Sequence, residues 1–519
     1  MVIFLFCFIT LLNLIVGNYY FYDKFKIYQL CGYQINKAFK SFQINKREIF
    51  CLSLFLLFNA ISILFNDALI SLCLNYILFL LLTIIVLAFT NQTASKNRLV
   101  FTKRFIRFFV LFNLINSFFI CLSFYLYLKN TYFSYFISCF LYVQFLTYII
   151  AHILISPFEY LVKIIYIVKA KKKLKRNKDL IVIGITGSYG KTSVKNYLYE
   201  ILKENYKICK SQKSFNTEMG FTKVILNDLK DDDEILILEY GADKKHDIKK
   251  LCKIVSPNYS IITGITNQHL NTFKTFDNLL NTKYELVENT NGGYVIFNGD
   301  NEFCENFYNK CYKNKLLVGI DNKKSSIQCE NINLKIGKTT FDINILGEKY
   351  TLKTSLLGKH NIINLLLAIQ MAILFNIEIP KIIKAVSKIQ AVEHRLKLLK
   401  NGDRYILDDS FNSNPVGAKN AIDVLMTFPN KKIVITGGLV ELGKENYIEN
   451  VKLGKYLTSV DVVVIVGNEN KSALLEGLKE SKKTVLCADN VNLAVSLIQK
   501  YFNTGDCLLF LNDLPDNYK

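Results

Sequence analysis

The run Gly184-Ile-Thr-Gly187-Ser-Tyr-Gly190-Lys191-Thr192-Ser193 decides the fold. It follows Leu180-Ile-Val-Ile183, a short apolar run with strand character, and precedes Val194 to Leu202, which reads as an amphipathic helix. Strand, glycine-rich turn, Lys-Thr and helix form the context of a phosphate-binding loop. The glycines let backbone N–H groups close around phosphate oxygens, and the helix N-terminus adds partial positive charge. Lys191 can reach the outer phosphates, and the Thr192 hydroxyl is a hard ligand for Mg²⁺. Gly187, Ser188, Gly190, Lys191, Thr192 and Ser193 therefore read as a nucleoside-triphosphate loop. The usual pattern has glycine where this chain has Ile185, and Gly184 is one residue early. A plain glycine-rich turn before a helix is the competing reading.

Outward from this loop the chain divides by composition. It has 519 residues, 51% hydrophobic, with 39 Phe, 30 Tyr, no Trp and a formal net charge of +21. Residues 1–178 hold 20 Lys/Arg and four Asp/Glu, so most of the excess charge lies there and the rest is nearly balanced. That distribution argues against nucleic acid as a partner of the catalytic part. Thirteen Cys are scattered without a C-x-x-C pair and read as reduced packing residues.

In the first 178 residues, five apolar runs approach the length of a membrane-crossing helix: Val2 to Tyr22, Ile49 to Phe65, Ala68 to Thr90, Phe108 to Leu128 and Tyr132 to Ile155. Alternate connections are basic, as in Lys37, Lys40, Lys46 and Arg47, then Lys96, Arg98, Lys103 and Arg104, then Lys171 to Lys178. By the positive-inside rule the expectation is a multi-pass membrane protein with its N-terminus out and its catalytic domains cytoplasmic. Leu161 to Ala170 reads as an interfacial helix, with the basic tail after it resting on membrane lipid.

From residue 180 the pattern is that of a parallel sheet covered by helices. Ile235 to Leu238, Tyr259 to Thr263, Tyr294 to Phe297 and Leu316 to Val318 read as buried strands, with helices over Lys245 to Val255 and Phe276 to Asn289 between them. Residues 327–356 read as a small antiparallel insertion. A second βα series starts near 403. The domains expected are 1–178, a helical transmembrane region; 179–390, a P-loop-type ATP-binding α/β domain; and 391–519, a Rossmann-like α/β domain.

Glu239 ends its strand, where ligands of open α/β sheets sit, and can reach a Mg²⁺ beside the loop; a solvated strand-end carboxylate is the alternative. His269 falls at the same sheet edge. Three of the five His lie in short polar clusters: Asn267-Gln-His269, Lys359-His360-Asn361 and Glu393-His394-Arg395.

These residues, in order, resemble the Mur ligases, ATP-dependent amide-forming enzymes of peptidoglycan precursor synthesis. The matches are Thr186 to Thr192, Ser214-Phe-Asn-Thr-Glu-Met-Gly220, Glu239-Tyr-Gly241, Gln268-His-Leu270, Thr282-Lys283 and Asn298-Gly-Asp300. Then follow Gly358-Lys-His-Asn361 with Asn364, His394-Arg395, Asp408 to Pro415 and Glu441-Leu-Gly443. The resemblance covers about 340 residues.

The resemblance implies ATP and two Mg²⁺ ions. Lys191 would hold the β- and γ-phosphates, Thr192 and Glu239 one metal, and His269 the second. Lys283 matches a lysine that becomes carboxylated, whose carbamate would help hold that metal. Asn361 and Asn364 match adenine-pocket positions, Arg395 would reach the γ-phosphate, and Asp408 would touch ribose. Ser214, Asn216 and Thr217 match a loop facing the acid, and Asn412, Ser413 and Asn414 the loop receiving the amine. The partners implied are a peptidoglycan precursor and a dipeptide or amino acid, the best match being addition of D-Ala-D-Ala to a UDP-MurNAc-tripeptide-like acid. No obligate protein partner is expected. The chain departs from the family at Tyr189, usually Asn, at Phe411, usually Tyr, and at its N-terminal region. Two other readings remain at this point: a Mur-like ligase joining a different amine to a different, possibly lipid-linked, carboxylate, and a membrane scaffold or sensor with bound nucleotide.

Overall fold

The computed structural model describes residues 2–41, 99–129, 140–212, 215–267, 270–345, 347–411 and 414–513. These form two compact units, Met1–Ile164 and Ile165–Lys519.

The first unit is helical, with helices Val2–Leu30, Ile35–Ser41, Lys103–Lys129 and the start of Phe140–Leu174. Its core is aromatic: Phe21, Phe25, Phe105, Phe108, Phe112 and Tyr148 are buried against one another, with ring centroids 5.2 to 6.4 Å apart in mostly tilted or edge-on pairs. Of the five apolar runs, the first, the fourth and most of the fifth fall on described helices. Among the described residues two helices are long and apolar enough to cross a membrane, Lys103–Leu122 and Gln144–Leu174. The runs Ile49 to Phe65 and Ala68 to Thr90 lie outside the described residues. The first run continues as helix past Asp23, Lys24 and Lys26, and both lysines are buried in the unit; the Lys24 ammonium sits 3.7 Å from the centre of the Tyr20 ring. Much of the aromatic content thus serves packing within the protein. Leu161 to Ala170 is no separate interfacial helix: it lies inside Phe140–Leu174, whose last turns bury Ala170 with Ile167 and Leu174 in the core of the second unit.

The second unit is built on two sheets. In the first, strands β1 (Ile181–Thr186), β2 (Ile208–Lys210), β3 (Ile235–Glu239), β4 (Tyr259–Ile262), β5 (Val295–Asn298) and β6 (Lys315–Val318) are all parallel, in the order β2-β3-β1-β4-β5-β6. Alternation explains why the strands are apolar throughout. Ile183 and Ile185 face one core, with Val194 and Leu198 of helix Lys191–Leu202, while Val182 and Leu236 face the other, with Phe221 and Leu251. Helix Lys359–Leu374 is buried almost all round, from Asn361 to Ala372, so its sequence is apolar on every face. The expected antiparallel insertion is present as β7 (Gln328–Lys335), β8 (Lys338–Ile345) and β9 (Glu348–Thr354).

The second sheet contains β10 (Lys397–Asn401), β11 (Arg404–Phe411), β12 (Lys432–Thr436), β13 (Val462–Val466), β14 (Thr484–Ala488) and β15 (Cys507–Asp513), in the order β10-β11-β15-β12-β13-β14. Only β10 runs antiparallel. Cys209, Cys252, Cys304, Cys311, Cys329 and Cys507 are buried free thiols.

Candidate functional site

Chain order around β1 creates the site. β1 lies between β3 and β4, so the connection from β3 to β4 crosses over it and opens a crevice at the carboxyl edge of the sheet. The loop after β1 lies in that crevice. Gly187 and Gly190 have φ of 154° and 82°. Gly190 caps helix Lys191–Leu202 in the left-handed region, and a Cβ there would come within 2.5 Å of Asn364 Oδ1. The Ser188 N–H donates to Gly264 O at 2.7 Å and its hydroxyl to Thr266 O at 3.0 Å, tying the loop to the β4 edge. Thr263 Oγ1 donates to Tyr189 O. The Tyr189 ring occupies the space that a side chain on Gly264 would need, so the aromatic at this position packs against the glycine backbone.

Register sets Glu239 beside the loop. Ile185 of β1 pairs with Glu239 of β3, and Thr192 Oγ1 donates to Glu239 Oε2 at 3.1 Å. Lys191 Nζ donates to Gly187 O at 2.6 Å and Ser188 O at 3.3 Å, so its ammonium sits over the loop. Burial, with Arg395 adding to it, pulls Lys191 down to about 8.

A cavity of about 280 Å³ runs across this edge. Ser188, Gly190, Lys191, Thr192, Ser193 and Glu239 form one side, Asn361 and Asn364 the floor, and Arg395 and Asn414 the wall from the second sheet's side. Asn361 is held by Tyr197, whose hydroxyl donates to its Oδ1 at 2.9 Å, and its own Nδ2 donates to Leu357 O. Asn364 Oδ1 is buried without a hydrogen-bond partner and lies against Gly190. A smaller cavity of about 50 Å³ adjoins the loop and is lined by Gly187, Lys191, Asn216, Asp243 and Lys283. Burial and the neighbouring Lys191 pull Lys283 down to about 7.

Most expected site residues described here thus meet at one edge; the exceptions are informative. Asp408 does not line the cavity. It accepts from Ser410 and pairs with His394 Nδ1 at 2.8 Å, while its neighbour Asp409 faces the cavity. Burial pushes Asp409 up to about 7. Thr217 caps helix Glu218–Lys223 through Gly220 N, and Asn414 caps helix Pro415–Met426 through Gly417 N. Ser214, His269, Asn412 and Ser413 lie outside the described residues.

Several cavity residues received no site role from the sequence, among them Phe411, Asp409, Asp243 and His360. Phe411 is a platform: the Arg395 guanidinium lies 4.4 Å from its ring centre and donates to its carbonyl at 3.1 Å. The face of the ring does this, so the missing tyrosine hydroxyl matters little there. Asp409 and Asp243 carry no periodicity signal that separates them from neighbouring acids. His360 lies in a cluster noted in the sequence; its Nδ1 is buried without a partner, and burial pulls it to about 4, so it is neutral at physiological pH.

The residues present fit a nucleotide and a hard divalent cation. A carboxylate and a hydroxyl converge beside a phosphate-type loop, which is the oxygen donor set Mg²⁺ takes, and the unpartnered Asn364 oxygen offers an acceptor.

Fold and site together define a P-loop-type α/β protein whose nucleotide cleft is completed by a second α/β body. Residues 185–372 match the Mur ligase middle domain, and residues 394–511 match the "Mur ligase, glutamate ligase domain". The chain belongs to the Mur ligase family. It is 31% identical over 306 residues to the UDP-N-acetylmuramoyl-tripeptide–D-alanyl-D-alanine ligase of Buchnera aphidicola subsp. Baizongia pistaciae, covering 57% of this chain and 65% of that one. It is 29% identical over 266 residues to the ligase of the same name from Bacillus subtilis, covering 50% and 57%. The chain therefore spans less than two thirds of the length of these relatives. Among solved structures it is similar to the MurF ligase of Thermotoga maritima in complex with ADP, with a TM-score of 0.61, 25% identity and coverage of 68% and 80%. MurF from Acinetobacter baumannii, at 24% identity and a TM-score of 0.60, shares the fold over 67% of this chain and 77% of that one.

The similarity to these ligases contradicts the multi-pass membrane localisation expected from the sequence, and nothing found supports the membrane-lipid partner. The two apolar helices pass a test of length and composition that a core helix of a soluble protein also passes.

Proposed function

We propose that this chain is an ATP-dependent, ADP-forming ligase that adds D-alanyl-D-alanine to UDP-N-acetylmuramoyl-tripeptide in cell-wall precursor synthesis. The observation that carries the reading is the cavity of about 280 Å³, where the phosphate loop, the Thr192–Glu239 pair and Arg395 meet. The names of the matching relatives supply the substrates. We assign residues 179–390 and 391–519 as the two catalytic domains.

Chemistry explains why ATP is needed. A carboxylate is a poor electrophile and oxide a poor leaving group, so acid and amine do not condense in water. Transfer of the γ-phosphoryl group to a carboxylate oxygen gives an acyl phosphate and ADP. The amine then attacks the carbonyl carbon, and the tetrahedral intermediate expels inorganic phosphate as the amide forms and the amine loses its proton. Lys191 and Arg395 offset charge on the transferring group, and Phe411 holds the guanidinium flat toward the cavity. Thr192 and Glu239 would hold one Mg²⁺, and His269 with Lys283 a second; there the metals would supply positive charge against the phosphates. The depressed Lys283 is partly neutral near pH 7, and a neutral amine adds CO₂ to give a carbamate and a proton. Asn361 and Asn364 face the base, and Asp409 takes the ribose role expected of Asp408. Asn216, with Ser214 and Thr217, faces the acid, and Asn414, with Asn412 and Ser413, the amine.

The test is product identity. Purified protein, ATP, Mg²⁺, UDP-N-acetylmuramoyl-tripeptide and D-Ala-D-Ala should give the condensed UDP-N-acetylmuramoyl-pentapeptide by mass spectrometry, with one ADP per amide. A folded protein that makes ADP without amide, or neither, contradicts the reading.

A further inference from the structure

We infer that Lys195, which does not line the cavity, is a positioning residue that sets Glu239 for the metal; this rests on the proposed role of Glu239. Helix Lys191–Leu202 places Thr192 and Lys195 three residues apart, on one face. That face meets the end of β3. Lys195 Nζ forms an ion pair with Glu239 Oε1 at 2.6 Å, and the two side chains are 2% and 1% exposed. The same ammonium donates to Ser211 O at 2.7 Å, just beyond β2, and Ser211 N–H donates to Ile237 O of β3. Thr192 Oγ1 donates to the other carboxylate oxygen, Oε2.

The division of the carboxylate is the point. Lys195 anchors Oε1 on the protein side, which leaves Oε2 and the Thr192 hydroxyl as the pair beside the cavity. Two effects oppose each other when the ammonium is removed. A nearby positive charge disfavours a cation, so its loss helps metal binding. A buried carboxylate stripped of its partner, however, turns away to find another, and breaking such a pair is the costlier change. Orientation of Glu239 therefore dominates, and metal affinity falls without Lys195.

The experiment measures ADP affinity by titration calorimetry in EDTA and in Mg²⁺, with Mn²⁺ binding read independently by electron paramagnetic resonance. Two neutral variants, Lys195→Met and Lys195→Gln, differ in packing, and the result is read on whichever folds. ADP affinity in EDTA should stay within about twofold of wild type, while the gain on adding Mg²⁺ and the Mn²⁺ affinity should each fall about tenfold or more, roughly the loss of one ligand interaction. Lys195→Arg should restore most of the gain. A neutral variant that keeps the wild-type Mg²⁺ gain, or loses affinity equally in EDTA, overturns the positioning role alone. A wild-type protein with no Mg²⁺ gain overturns the proposed metal site and this role together.

Discussion

Arg395 and Lys191 approach the same cavity from opposite walls, and each is held by groups that leave its charge available. Lys191 rests on loop carbonyls, and Arg395 lies on the face of Phe411. Lys191→Ala should lower turnover by ~10³-fold, the scale of removing one charge-stabilising group from a transition state, with the melting temperature little changed. Lys283 is a second test at this scale. Its folded value of about 7, against an ordinary 10.5, means that the neutral amine prevails above pH 7 and the ammonium below it. A carbamate formed from ¹³C-labelled bicarbonate should therefore be occupied at pH 8 and lost as the pH falls below 7, read by ¹³C NMR. Lys283→Ala should abolish the signal, and short carboxylic acids should restore part of the lost turnover. Residue identity was the most legible level in the sequence, because Gly190-Lys191-Thr192 carries its own chemistry. Asp408 against Asp409 was not legible: strand alternation sends adjacent residues to opposite sides, and of the two Asp409 lines the cavity.

At the scale of elements, the loop works because glycine permits a left-handed cap and a close approach. Gly190→Ala adds a Cβ at φ 82° within 2.5 Å of Asn364 Oδ1. Backbone strain alone costs roughly 1–2 kcal/mol, and the displaced Asn364 should weaken ADP binding about tenfold or more, measured by calorimetry beside a melting curve. Tyr197→Phe tests how the phosphate-loop helix and helix Lys359–Leu374 are joined. It removes the hydroxyl that satisfies Asn361 Oδ1 and should cost roughly 1–3 kcal/mol in urea unfolding. The apolar runs of β1, β3, β4 and β5 were legible from their length and β-branched content, since both faces are buried. β2 and β10 were not: β2 has three residues, and β10 is an exposed edge strand ending in Leu-Leu-Lys-Asn with no alternation to mark it.

At the scale of the molecule, the cleft depends on two α/β bodies meeting. Asn267 Nδ2 donates to Glu445 Oε2 at 2.7 Å, joining the loop after β4 to the turn after β12. Glu445→Ala should leave ADP affinity within about twofold and lower kcat several-fold, as expected where a bridging contact supports closure. The N-terminal region was the least legible part. Apolar length and loop charge set the expectation of five spans; two of those runs lie outside the described residues, and Phe21, Phe25 and Phe112 of two others pack in an aromatic core. Period and charge alone cannot separate a span from a core helix.

The central claim is that ATP activates a carboxylate by taking phosphate onto one of its oxygens. With the acid substrate labelled with ¹⁸O in its reacting carboxylate, the inorganic phosphate released during amide formation should carry one ¹⁸O atom, read by mass spectrometry or ³¹P NMR. Amide formation with unlabelled phosphate, and the label retained wholly in the acid and amide, would contradict it.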